Sequence, residues 1–276
     1  MPLDYVGDDF SDGLDPRWTL TRVGGGRVET VDSTLRLELS GALAGTYSDA
    51  QIDDYTGHAR ADFPWRPPLH LSIRARFSHL VHPISTPATD IHQPLLRGTA
   101  GFGFWNYPLS LTGAILRLPE AVWFFGASQP SNMALVPGVP GWGWKAQVVH
   151  AHRWGALATA GPTALAALWG RFSGRQEAAG HWVQRLAGAH EERLDVDPRA
   201  WATYEIEWRH DHALFRVDGV ATLIAPHPPV GPLGFVAWVD NQYAIATPRG
   251  ELRFGTIASD HEWLELDYVR IHLGQA

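Results

Sequence analysis

Between Trp201 and Leu273 the chain alternates apolar and polar side chains in a way that half-buried strands satisfy and helices do not. In Tyr204-Glu205-Ile206-Glu207-Trp208 the apolar members fall at every second position, the period of a strand with one face on a core. His210-Asp211-His212 interrupts the run before Leu214-Phe215-Arg216-Val217, and Asp218-Gly219 then leads into Val220 to Ile224. Asp-Gly between two apolar runs is a strong hairpin signal. The stretch therefore predicts an antiparallel meander. Leu233 to Val239 is almost wholly apolar, which predicts a strand covered on both faces and so a second layer.

A chain of 276 residues fits one large β-sandwich, and the reading is a single domain over 1–276. Its 28 Gly and 20 Pro favour many short strands joined by turns over long helices. Lys plus Arg number 22 against 29 for Asp plus Glu, a net charge of −7, which argues against nucleic acid or an anionic membrane as partner. Cysteine is absent, which removes disulfides and thiolate metal sites. The first residues have neither a basic start nor an apolar core like a signal peptide, and no apolar run approaches a membrane span. The expectation is a soluble, cytoplasmic protein, with secretion left open if a leader has been trimmed.

Upstream, Trp18 to Val23 and Arg27 to Val31 flank Gly24-Gly25-Gly26, and Leu35, Leu37 and Leu39 alternate with Arg36 and Glu38, reading as two successive hairpins. Leu69, Leu71, Ile73, Ala75 and Phe77 alternate with His70, Ser72, Arg74 and Arg76, the cleanest one-face-buried strand of the chain. The loop from His79 to Arg97 carries His79, His82, Asp90 and His92, whose spacing matches no rigid metal-ligand pattern. Residues 102–145 hold the densest aromatics, Trp105, Trp123 and Trp144 among them, interleaved with glycines and with Asn106 and Lys145. Rings beside amide or hydroxyl groups are what sugar or polyol recognition requires. From about Trp154 to Leu194 the composition turns to Ala, Leu, Arg, Gln and Glu, predicting a helical insertion with helices over Thr163 to Phe172 and Gly174 to Ala189, either a sheet cover or a lid.

Trp201-x-x-Tyr204-x-Ile206-x-Trp208, then Phe215-x-Val217-Asp218-Gly219, then Asp267-Tyr268-Val269-Arg270-Ile271 resemble the second half of the concanavalin A-like lectin and glucanase superfamily. The pattern is nearest to family 16 glycoside hydrolases, and Asp8-Asp9-Phe10 with Leu14 to Trp18 adds a weaker match. The resemblance implies a concanavalin A-like jelly-roll β-sandwich and a carbohydrate ligand on its concave face. It also implies a structural calcium, with Asp267 and Asp9 as ligands; no cofactor is otherwise required. Family 16 catalysis implies a Glu-x-Asp-x-Glu type motif on a central strand, since retaining hydrolysis needs two carboxyl groups roughly 5–5.5 Å apart. No such motif is present. Glu265-Leu266-Asp267 is the only local imitation, and Val269 stands where the third carboxylate belongs.

The leading reading is thus a ligand-binding protein. Trp105, Trp123, Trp144 and Trp238 would wall the ligand, and Asn106, Lys145, Asp240, Asn241 and Tyr243 would orient it. A hydrolase, lyase or isomerase acting on a small, partly apolar substrate is the alternative, with Asp240, Asp90, His92 or Tyr243 as acid or base. A structural or partner-binding module is the third.

Overall fold

The computed structural model describes residues 5–83, 95–107, 119–136, 138–150, 188–246 and 252–274. In chain order the first strands are β1 (Tyr5–Asp8), β2 (Thr19–Val23), β3 (Gly26–Val31), β4 (Thr34–Ala42), β5 (Asp49–Asp53) and β6 (Leu69–Phe77). There follow β7 (Thr99–Trp105), β8 (Glu120–Ala127), β9 (Asn132–Met133), β10 (Gly143–His150), β11 (Ala189–Arg193) and β12 (Ala202–Trp208). The last are β13 (His212–Val217), β14 (Val220–Pro226), β15 (Gly234–Asp240), β16 (Gln242–Ala246), β17 (Leu252–Thr256) and β18 (Ser259–Leu273). Among the described residues the only helical element is the 3-10 turn Arg60–Asp62, and no helix is long and apolar enough to cross a membrane.

Two antiparallel sheets form the sandwich. One has the order β14-β13-β12-β6-β18-β4-β3, with β1 added against β18; the other runs β11-β10-β8-β7-β15-β5-β2. A small sheet, β17-β16-β9, flanks the second through the chain ends of β15 and β8. The alternation of β6 buries Leu69, Leu71, Ile73, Ala75 and Phe77 while His70, Ser72, Arg74 and Arg76 lie on the outer side. Each such side chain contributes about 1.5–3 kcal/mol on burial. Rings from the two sheets meet in the middle: Phe102 with Tyr204 at 5.2 Å, Phe104 with Trp208 at 5.4 Å and Phe77 with Trp144 at 4.9 Å.

The predicted meander is β12-β13-β14, with Asp218 and Gly219 both at positive φ in its second turn, as a two-residue hairpin demands. Residues of β15 are buried on both faces, as Leu233 to Val239 predicted. One expectation is corrected. β2 and β3 do not pair: β2 joins β5 in one sheet and β3 joins β4 in the other, so the glycine run is a crossing between layers and only β3-β4 is a hairpin. Gly26 permits this because a Cβ there would strike the Asp49 carbonyl. The helical insertion is not seen in the described residues. Residues 151–187, with most of both predicted helices, lie outside them, and Ala189–Arg193 form β11 on the edge of β10. Helix-favouring composition yields there to an open strand edge that needs a partner.

Candidate functional site

The outer face of the seven-stranded sheet is fixed by register. Phe102, Phe104, Val122, Phe124, Ala146, Val148, Phe235 and Ala237 point into the sandwich, so the residues between them point away. Trp238 on β15 stands in a cross-strand row with Gly101, Phe125 and Lys145; Val236 stands in the next with Gly103, Trp123 and Gln147. Gly101 and Gly234 carry no Cβ because the rings of Trp238 and Tyr55 lie against the sheet there.

Those rings form a continuous wall. Tyr55 meets Tyr107 at 5.4 Å, Tyr107 meets Trp105 at 5.3 Å, Trp105 meets Trp123 at 5.9 Å, and Trp123 meets Trp238 at 5.2 Å and Phe125, stacked, at 5.4 Å. Tyr107 is exposed and Trp105 and Trp123 partly so, whereas Phe125 and Trp238 are buried. Beside the wall on β10 and β11 lies a polar network. Trp123 Nε1 donates to Gln147 Oε1 at 2.7 Å, Gln147 Nε2 donates to Glu191 Oε2 at 2.8 Å, and Lys145 Nζ donates to the same oxygen at 3.1 Å. Burial pushes the Lys145 ammonium down from its usual range, and the charge and hydrogen bond of Glu191 oppose this.

At the end of β15, Asp240 Oδ1 accepts from Thr99 Oγ1 at 2.8 Å, Gln242 N at 3.0 Å and Thr99 N at 3.3 Å. Thr99 Oγ1 in turn accepts from Trp238 Nε1 at 3.0 Å, which ties the ring wall to the carboxylate. Burial pushes Asp240 up to about 6 against those hydrogen bonds. Asp49 lies opposite Asp240 in the register and is held well above the ordinary carboxyl range by its own burial and then by Asp240.

A pH experiment isolates this group. The unfolded Asp240 ionises near 3.8 and the folded one near 6, so raising the pH favours the unfolded chain across that window. The favourable contribution of the protonated side chain is complete below about pH 4 and is lost as the pH rises through about 6. Asp240→Asn keeps an oxygen for the three donors and carries no charge. Its stability relative to wild type should therefore climb between pH 4 and 7 by roughly 2.5 kcal/mol, read from thermal melts of both proteins. A difference that stays flat with pH would show that Asp240 titrates normally.

No protein-family model matches the chain, and no curated protein sequence matches it. Solved structures do. One from work on endo-acting O-glycanases of the human gut microbiota superposes with a TM-score of 0.53 at 14% identity, covering 98% of this chain and 99% of that one. A non-specific endo-β-1,3(4)-glucanase from family GH16 gives 0.53 at 14% identity, over 100% and 93%. An immunostimulatory antigen and pseudo β-1,3-glucanase of Mycobacterium tuberculosis gives 0.51 at 12%, over 98% of each. The fold is that of the glucanase sandwich.

On strands β10, β8, β7 and β15 the outer face carries one carboxylate, Asp240, and the adjoining β5 adds Asp49 and Asp53 at its outward positions. The outward positions of β8 carry Ala121, Trp123 and Phe125, with no carboxylate among them. Of the residues singled out in the sequence, Trp105, Trp123, Lys145, Trp238 and Asp240 share the outer face. Trp144 does not: it is wholly buried in the core among Phe77, Phe102, Phe124 and Tyr204, because its neighbour Lys145 takes the outward position. Asn241 is fully buried, with Nδ2 donating to the carbonyls of Leu43, Thr46 and Ile257 and Oδ1 accepting from Ser48 N, so it pins loops together. Asn106 closes the start of β8 by accepting from Glu120 N at 3.2 Å. The Tyr243 ring lies over Gly255 in the small sheet. Asp90 and His92 lie outside the described residues.

The carboxylates considered for a calcium ion are engaged within the protein. Asp267 pairs with Arg74 at 2.9 Å, Asp9 accepts from Ser11, and both oxygens of Asp8 are taken by Phe10 N, Asp15 N and Trp18 Nε1. Among the described residues no three His, Asp or Glu side chains are placed to share a metal. Gln147, Glu191 and Tyr55 complete the face without having been singled out. The pattern Lys145-x-Gln147 between apolar residues signalled the first, but Glu191 sits in a stretch of helix-like composition.

Proposed function

We propose that the protein binds carbohydrate along the outer face of the seven-stranded sheet without family 16-type hydrolysis. The observation that carries this is a wall of partly exposed rings, Tyr107, Trp105 and Trp123, running beside amide, ammonium and carboxyl groups. Sugar rings stack on such faces while their hydroxyls meet the polar row. The similar structures, a glucanase and one from work on O-glycanases among them, support the ligand class. The lack of a Glu-x-Asp-x-Glu type motif supports binding over family 16-type retaining catalysis, which needs its two carboxyl groups on one strand face.

Laminaripentaose and cellopentaose, titrated against tryptophan fluorescence, test the proposal. Trp123→Ala and Trp105→Ala should each weaken binding on the order of tenfold or more, the usual effect of removing a central Trp. Unchanged affinity in the folded variants would remove the ring wall from the reading. One observation favours an enzyme as second reading: Asp240, poised at about 6, faces a second buried acid, Asp49. Release of shorter sugars, abolished by Asp240→Asn, would establish that reading in place of simple binding.

A further inference from the structure

We infer that Glu191 is a positioning residue for the ring wall: through Gln147 it holds the Trp123 indole in one orientation, so that a sugar meets the ring already ordered. The inference rests on the carbohydrate-binding proposal and assigns the enclosed members of the polar row a task within it. Trp123, Gln147 and Glu191 are direct neighbours in one cross-strand row of β8, β10 and β11. Along that row Trp123 Nε1 donates to Gln147 Oε1 at 2.7 Å and Gln147 Nε2 donates to Glu191 Oε2 at 2.8 Å, with Lys145 Nζ on the same oxygen at 3.1 Å. Lys145, Gln147 and Glu191 are buried, whereas Trp123 is partly exposed, so the chain of bonds acts on a ligand through the ring at its end.

Donor and acceptor chemistry leaves this chain one direction. An indole N–H can only donate, so it must meet the oxygen of the Gln147 amide, which turns the amide nitrogen toward position 191. Only an acceptor fits there. Glu191 supplies one, and Lys145 supplies the counter-charge that an enclosed carboxylate needs. Turned the other way, the indole N–H would face Gly103 and Val236, which offer no side-chain acceptor, and a donor left without a partner there is costly. Trp238, the next ring of the wall, is anchored in the same manner: its Nε1 donates to Thr99 Oγ1 at 3.0 Å, and Thr99 Oγ1 donates to Asp240 Oδ1 at 2.8 Å. Two indoles of the wall are thus each tied through one side chain to a buried carboxyl group. Immobilising a free side chain on binding costs affinity, and a ring fixed beforehand avoids that cost.

Two double variants that differ only at position 191 isolate the effect. Lys145→Met/Glu191→Gln keeps a carbonyl oxygen for Gln147 Nε2, and Lys145→Met/Glu191→Leu offers none. Laminaripentaose and cellopentaose, titrated against tryptophan fluorescence, should bind about tenfold more weakly to the second variant than to the first, roughly the cost of immobilising one side chain. Nitrogen-15 labelling gives a signature that a merely structural role would not move. The Trp123 indole N–H resonance, identified by its absence from Trp123→Phe, should hold its wild-type position in the first variant and shift in the second. Equal affinities in the two folded variants would overturn the inference, and if Trp123→Ala still weakens binding the carbohydrate reading stands without it. If neither sugar binds the unaltered protein, both fall together. Where the second variant does not fold, the unaltered protein decides. Its Trp123 indole proton should be protected from solvent exchange before sugar is added; protection that arises only with sugar would show a ring ordered by the ligand and would sink the inference.

Discussion

Trp144→Ala is expected to lower the stability of the fold by about 3–5 kcal/mol, the cost of removing a large buried aromatic and leaving its cavity. Trp144 has no exposed surface and packs edge-on against Phe77 at 4.9 Å, Phe102 at 5.6 Å and Tyr204 at 5.6 Å, and stacks on Phe124 at 6.0 Å. These partners come from both sheets, so the ring is a point where the two layers are held together. Trp105 and Trp123, on the opposite face of the same sheet and partly exposed, should lose much less, since solvent can fill the space they vacate. Urea titration of the three variants gives the comparison directly. If Trp144→Ala unfolds at the wild-type midpoint, the register that turns this ring inward is wrong. Loss of sugar binding by a folded Trp144→Ala would point the same way.

That register was legible in the chain. Trp144, Ala146 and Val148 alternate with Lys145 and Gln147, and a strand with this pattern must bury the apolar set. Reading aromatics as a group hid it, because a tryptophan suits either face until its neighbours are counted. The meander, the Asp218-Gly219 turn and the doubly covered β15 were legible because each follows from local alternation or turn chemistry. The crossing at Gly24-Gly25 was not, since the same glycines serve a hairpin or a jump between sheets, and the difference lies in Asp49, more than twenty positions away. Asn241 is similar. Its sequence context, Asp240-Asn241-Gln242, looks like a solvated turn, yet three carbonyls from two other loops converge on its amide. Glu191 was hidden by composition: Glu191-Glu192-Arg193 suits a helix end, and only the unpaired edge of β10, with Lys145 on it, makes the segment a strand.

Lys145→Met alone is expected to lose about 3–5 kcal/mol, whereas Lys145→Met combined with Glu191→Gln should recover most of it. The reason is an asymmetry between breaking a buried pair and deleting it. Both side chains are enclosed, so removing the ammonium leaves a carboxylate with neither water nor a counter-charge. Replacing both removes the charge as well as its partner, and the carbonyl of the new amide still accepts from Gln147 Nε2, which keeps Trp123 Nε1 on Gln147 Oε1. Chemical denaturation of the single and double variants yields the coupling energy. If the single variant is as stable as wild type, the pair is open to solvent. A large coupling energy means that this face holds a desolvated, half-satisfied ion pair beside a tryptophan.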